Sequence, residues 1–200
     1  TSVVDAWVQG FWKLLQFAMQ MALIMVTGFV VANSPPIKKI ITKLAAIPNN
    51  QIKAMLFVGV VTFVIWWIHW GFGMMAGILL GREILAQSKI KGYKIHKNAF
   101  VGMTYAITCS AAGISIAAPL FAASPGFLKS LVSPESASLL PDALPLNQTV
   151  LLPQVLTQVL VLGIMAIIVS IAMTPKDDEK IQEISDEFKN EVLSTGSGEK

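Results

Sequence analysis

Charge is what this sequence has least of. Its 200 residues include 15 Lys and Arg and 12 Asp and Glu, 14% of the chain, against 54% hydrophobic residues and a mean hydropathy of +0.64. Soluble domains carry about 25% charged residues. Too few charges remain here to coat a water-soluble surface, so a lipid bilayer is the solvent that fits. Cysteine is almost missing: Cys109 stands alone, which excludes an internal disulfide and any cysteine-based metal site. There is no zinc-ligand spacing, no phosphate-cradling glycine loop and no nucleophile elbow, so the common enzyme classes have no foothold, and neither a metal nor a cofactor is expected. The basic residues border apolar runs, where membrane topology explains them better than nucleic acid does. No charged leader with a cleavage site precedes the first apolar run, and the chain opens on Thr1. It is read as a fragment of a longer protein.

What is present is uncharged length. From Leu14 to Ala32, Ala54 to Gly81, Ala99 to Pro125 and Thr149 to Thr174 there is no Lys, Arg, Asp or Glu. A helix needs about 20 such residues to cross the hydrocarbon. The run 14–32 predicts a first span, with Trp7 and Trp12 before it as an interfacial belt and Asn33-Ser34-Pro35-Pro36 after it. Gln16, Gln20 and Thr27 share one face of that helix and should look inward, chiefly as packing glue. Over 37–47, Lys38, Lys39 and Lys43 alternate with Ile37, Ile40, Ile41, Leu44 and Ile47, which predicts a basic amphipathic helix on the cytoplasmic surface.

The run 54–81 carries the most informative arithmetic. Basic residues flank it on both sides: Lys38 to Lys53 before, and Arg82, Lys89, Lys91, Lys94 and Lys97 after, with Glu83 the one acidic residue among the latter. Both flanks ask to be cytoplasmic. Two full crossings would need roughly 40 residues, so the run predicts a re-entrant hairpin that enters and leaves from one face, its tip at Trp70-Gly71-Phe72-Gly73. One long crossing is the alternative, and it would leave a basic loop outside. The run 99–125 has a centre of small and polar residues, Cys109 to Ser115, followed by Pro119 and Ser124-Pro125-Gly126, and reads as a helix broken part-way across. A last span covers 150–173. Residues 176–200 form an acidic cytoplasmic tail or linker, with Ile181, Ile184, Phe188 and Val192 as a thin apolar stripe.

A hairpin followed by a broken helix is the pattern that marks a substrate site in carriers built from inverted repeats. Helix starts inside the membrane present N–H groups and a positive dipole end, which can hold a carboxylate without a buried Lys or Arg. The candidate seats are the arm starting at Gly71 to Gly73 and the half-helix starting at Ser110 to Ser115, with hydroxyls of Thr108, Ser110, Ser115 and Ser124 as further donors. Close helix packing is the other use of such small residues. Three of the five tryptophans, Trp66, Trp67 and Trp70, crowd the tip beside Phe63 and Phe72. They form either the wall of a pocket for a short acyl tail or an interfacial belt. His69 is the ionisable residue deepest in an apolar run. It is either the acceptor of a symported proton or a neutral hydrogen-bonding side chain. With no carboxylate inside the four runs, no Asp or Glu proton relay is expected.

Several stretches resemble one family. Gly10-Phe11-Trp12-Lys13-Leu14-Leu15, Phe17 to Ile24, Val26-Thr27-Gly28, Trp70-Gly71-Phe72-Gly73 with Gly81-Arg82-Glu83, and Pro119 to Gly126 are similar, in the same order and spacing, to the AtoE family of short-chain fatty acid transporters. The resemblance runs from about Trp7 to Pro175. It implies an all-α helical bundle of the prokaryotic inner membrane, one inverted repeat of a larger carrier whose second half is missing here. It further implies uptake of butyrate- or acetoacetate-like anions by alternating access, proton or sodium as coupling ion, and a homodimer when complete. The partners expected are therefore a small carboxylate, membrane lipid and the second half of the carrier. The chain departs from the family pattern at His69, where the pattern carries Asn, and in the lower glycine content of 108–115.

Overall fold

The computed structural model describes residues 2–109, 113–175 and 181–196, and among these the regular elements are all helical. Helix α1 runs Val3–Ala32, eleven residues earlier than the charge-free run, because Ser2 and Asp5 form a reciprocal capping box that starts it. Pro35 and Pro36, which have no N–H to lose at a helix start, open α2 (Pro35–Ala45) at a bend of 68° to α1. The basic helix α2 is no loose surface element. Ile41 and Ala45 are buried, and the Lys91 ammonium of α4 donates to the carbonyls of Ala46 and Pro48, the latter at 3.0 Å.

Helices α3 (Gln51–Ile68) and α4 (Trp70–Lys91) form an antiparallel hairpin. Glycine lets the arms meet: a Cβ on Gly73 would lie 2.3 Å from the Trp66 Cα, and one on Gly77 would lie 2.6 Å from the Thr62 Cγ2. The chain reverses at His69, in an extended conformation (φ −145°, ψ 105°), rather than within Trp70 to Gly73. Gly71 and Gly73 sit inside the first turn of α4, where they permit close packing instead of supplying the turn. The second arm continues through Arg82 and Glu83 to a left-handed cap at Gly92, so the expected basic loop is mostly helix.

Helix α5 (Lys97–Cys109) runs back toward His69 beside α4, with Phe100 and Thr104 against Gly81. After the break come α6 (Ala117–Ala122), the short turns α7 (Phe127–Ser130) and α8 (Pro134–Ala137), and a 3-10 turn at Leu146–Gln148. This connection is pinned by Leu144 N–H to Ala122 O at 2.7 Å and Gly126 N–H to Asp142 O at 2.9 Å. Helix α9 (Pro153–Ala172) then lies antiparallel to α3, with Gly163 under the Phe63 ring and Ile167 against Gly59. The core is where these four meet: Met55, Val58, Ile84, Phe100, Ile107 and Ile167.

Outward faces of the bundle are apolar. On α3, Val60, Val64 and Ile68 are 52%, 49% and 58% exposed at four-residue spacing, and on α9 Leu160, Ile164 and Ile168 are 54%, 56% and 55% exposed. Such stripes are unfavourable in water and at home in lipid. Both helices are long and apolar enough to span, and α1 with α2 makes a third, bent candidate. The protein is an all-α membrane protein.

The described part of the tail docks onto the bundle instead of trailing from it. Ile184 and Val192 are buried in α10 (Asp186–Gly196) and the segment before it, Arg82 pairs with Glu191 at 2.9 Å, and Lys89 pairs with Asp186 at 3.0 Å. Of the Gly/Ser-rich end expected to lack structure, 194–200, residues 194–196 belong to α10 and 197–200 lie outside the described residues.

Candidate functional site at the meeting of two helix breaks

Where α3 stops and α4 starts, carbonyls of one helix end and amides of one helix start emerge at the same point. The break between α5 and α6 packs directly on it. Trp67 O at the end of α3 accepts from Ile114 N–H at 2.8 Å, and Trp70 N–H at the start of α4 donates to Ser115 Oγ at 2.9 Å. His69 caps α4 from within, its Nδ1 accepting the Phe72 N–H at 3.1 Å, while His69 O accepts from Gly73 N–H at 2.8 Å. Gly113 makes the contact possible, since a Cβ there would meet Trp67 O at 2.7 Å and Trp66 O at 3.0 Å. Helix α1 closes another side: a Cβ on Gly71 would lie 2.6 Å from the Ile24 Cγ2, and one on Gly28 would lie 3.3 Å from Gly71 O.

The structure therefore brings His69, Trp70, Gly71, Phe72, Gly73 and Ser115 together. Ser110 lies outside the described residues. Ser124 lies just past the end of α6, exposed, with its hydroxyl donated to Leu120 O at 3.1 Å, and no hydrogen bond among the described residues joins it to the group. Thr108 likewise spends its hydroxyl on Tyr105 O at 2.7 Å. Free amides at the helix start were the expectation. Those of Trp70 and Phe72 are instead met by protein acceptors, while the buried Gly71 N–H has no acceptor among the described residues. Beside these groups, buried Trp66 and Val159 pack with Phe63, Trp67, Trp70, Ile116 and Val155, so the tryptophans line an apolar wall between the hairpin, α9 and the α5–α6 break. The Nδ1 lone pair of His69 is engaged by an N–H donor, which makes the side chain a helix cap in this arrangement.

A second polar cluster escaped the sequence reading, which placed Arg82 and Glu83 in the loop after the hairpin. Glu83 is only 6% exposed in the middle of α4, with Gln87 Nε2 donating to its Oε1 at 3.3 Å. The available signal was the unbroken helical spacing of Leu80, Ile84 and Ser88, all buried, across the charged pair. Glu83 and Arg82 line a cavity of about 240 Å³ between α1, α2, α4 and α10, which also touches Asn33, Lys38 and Thr42. Among the described residues no group of three or more His, Cys, Asp or Glu could hold a metal ion.

The sequence profile of the family described as Short chain fatty acid transporter matches residues 1–195. The chain belongs to that family. Two curated relatives agree, each provisionally named a short-chain fatty acid transporter. The one from Haemophilus influenzae is 35% identical over 125 residues, covering 62% of this chain and 27% of the relative. The one from Escherichia coli K12 is 35% identical over 127 residues, covering 62% of this chain and 28% of the relative. The chain thus matches little more than a quarter of the length of these curated relatives. No solved structure matches. As a member of a family of transporters, the chain is a membrane protein and not an enzyme.

Proposed function

We propose that the protein carrying this chain takes up short-chain fatty acid anions of the butyrate or acetoacetate type across the inner membrane by alternating access, with the tip of the α3–α4 hairpin and the α5–α6 break as the substrate seat. The observation that carries the reading is the family match over 1–195, joined to a buried Gly71 amide at a helix start that has no acceptor among the described residues. The chemistry follows from the groups present. A carboxylate accepts from the Gly71 N–H at the positive end of α4. Ser115 Oγ already accepts from Trp70 N–H, and its own O–H is the donor for a second carboxylate oxygen. The acyl tail lies on the wall formed by Trp66, Trp67 and Trp70, which rewards a short apolar chain and gives nothing to a second charge. Basic residues of α2, the end of α4 and the 92–97 turn gather at the opposite end, which the positive-inside rule makes cytoplasmic. In this reading the hairpin is re-entrant, a proton or sodium ion is the coupling ion, and the second half of the carrier completes the cavity in a dimer.

The test is uptake of labelled butyrate by the full-length protein in proteoliposomes. Saturable uptake driven by an imposed proton or sodium gradient, reduced at least tenfold by Gly71→Val and raised in KM by Ser115→Ala, is the expected result. Flux that never saturates is the signature of a channel and would overturn the carrier reading.

A further inference from the structure

The cavity beside Arg82 lies along the middle of α4, away from the tip, and its charges have an unusual balance. Four ionisable residues line it: Arg82 and Lys38 are cationic, Glu83 and Glu191 anionic, so they sum to zero. The two carboxylates are held differently. Glu83 is 6% exposed and fixed in the middle of α4. Glu191 belongs to α10, its side chain is 64% exposed, and it reaches in from outside to place Oε1 2.9 Å from the Arg82 Nη2. The Phe188 ring of the same helix lies 5.3 Å from the guanidinium. Without the Glu191 carboxylate the remaining charges sum to +1, which matches a single monocarboxylate. Apart from Asn33 and Thr42, the other walls, Phe29 and Leu79 among them, are apolar. A volume of about 240 Å³ is just under the ~300 Å³ lower bound for drug-sized ligands, which suits a molecule of a few carbons.

We propose that this cavity is a second carboxylate-binding site, at the basic end of the protein, and that Glu191 occupies it as a built-in surrogate anion. A free short-chain carboxylate takes the Arg82 guanidinium in place of Glu191, its tail against Phe29 and Leu79, and α10 lifts as it does so. Arginine suits the exchange, because its planar fork offers the same paired donors to either carboxylate. Exposed pairs are weak, so a ligand at millimolar concentration can compete with a tethered carboxylate. The ligand's identity rests on the short-chain carboxylate reading above, whereas the plug geometry does not.

The experiment is direct binding of butyrate to the full-length protein in detergent, with butyramide as the uncharged control, read together with hydrogen exchange over α10. Glu191→Gln is expected to tighten butyrate binding about fivefold and leave butyramide unchanged. Butyrate should raise exchange in α10 of the unmodified protein. The gain should vanish in the double variant with Arg82→Gln, or in Arg82→Lys/Glu191→Gln if the first does not fold, since Lys keeps the charge and loses the fork. Unchanged affinity in Glu191→Gln, a gain that survives loss of the Arg82 fork, or an equal gain for butyramide would overturn the proposal. Tighter butyrate binding in Glu191→Gln without any uptake by the unmodified protein would sink the carrier reading and leave this site standing. Saturable uptake with no effect of Glu191→Gln on binding would do the reverse.

Discussion

At the tip of the bundle, helix-end groups are satisfied without a charged side chain: Trp67 O takes the Ile114 amide, and the Trp70 and Phe72 amides take the Ser115 hydroxyl and the His69 Nδ1, with no Lys, Arg, Asp or Glu within the contact. At the base, side-chain charges do that work, with Arg82 on Glu191, Lys89 on Asp186 and Lys91 on the carbonyls ending α2. The difference follows from solvent. A charge buried in lipid costs several kcal/mol, so polarity there has to come from helix ends whose partial charges are already part of the chain. Near water, ion pairs form freely but contribute about 0 to 1 kcal/mol each. The tip should therefore be stiff and sensitive to single atoms, and the base tolerant and sensitive to salt.

The largest break in that contrast should come from Gly73→Leu. A Cβ at Gly73 would sit 2.3 to 2.7 Å from the backbone and Cβ of Trp66, where nothing flexible can yield. The arms must separate, at a cost of about 3 kcal/mol or total failure to fold, read by SDS titration followed by far-UV circular dichroism. Next, Ser115→Ala leaves Trp70 N–H without its acceptor and should cost about 1 to 2 kcal/mol, with faster amide exchange confined to the start of α4. His69→Ala removes a helix cap worth about 1 kcal/mol, and His69→Asn, a stronger capping residue, should restore it. The same pair separates the two roles open to His69: a pH profile of uptake that shifts in the Asn variant would make it a titrating group in transport, and an unchanged profile leaves it a cap.

The smallest effect belongs to the base and is electrostatic. The Lys89 ammonium, hydrogen-bonded to Asp186, holds that carboxyl below its ordinary value of 3.8, with Lys189 adding to the effect. A carboxyl depressed in the folded state stabilises while it is ionised, so the contribution is present at neutral pH and fades as pH falls below 3.8 through the folded value. Exchange protection of α10 should fall in that acid range. It should also fall in 1 M salt, where screening acts within about 3 Å, while protection at the tip stays unchanged. Equal loss at both ends would erase the distinction between them.

How much was legible beforehand differs between the two ends for the same reason. The break near residue 70 and the one that includes 113–116 were visible because glycine, serine and tryptophan interrupt uncharged runs, and the resemblance carried by Trp70 to Gly73 and Pro119 to Gly126 pointed to the family. The reversal was placed on the glycines, yet it falls at His69, because glycine also serves close packing, and sequence alone does not say which use applies. Arg82, Glu83 and the tail were read as loop and linker because charge normally marks water. Their partners lie far along the chain: Glu191 is 109 residues from Arg82, and Asp186 is 97 from Lys89.

Sequence by itself determined that this protein belongs in a membrane, that it is helical, roughly where its helices fail, and which family it resembles. These are one-dimensional quantities, set by hydropathy, charge and short motifs, and any local window reports them. Only the tertiary structure decided that the two failures meet, that Ser115 caps a helix 45 residues away at Trp70, that Glu83 is buried, and that α10 covers Arg82. A buried donor or charge must be matched by whichever group the fold brings alongside, and the chain order does not name that group.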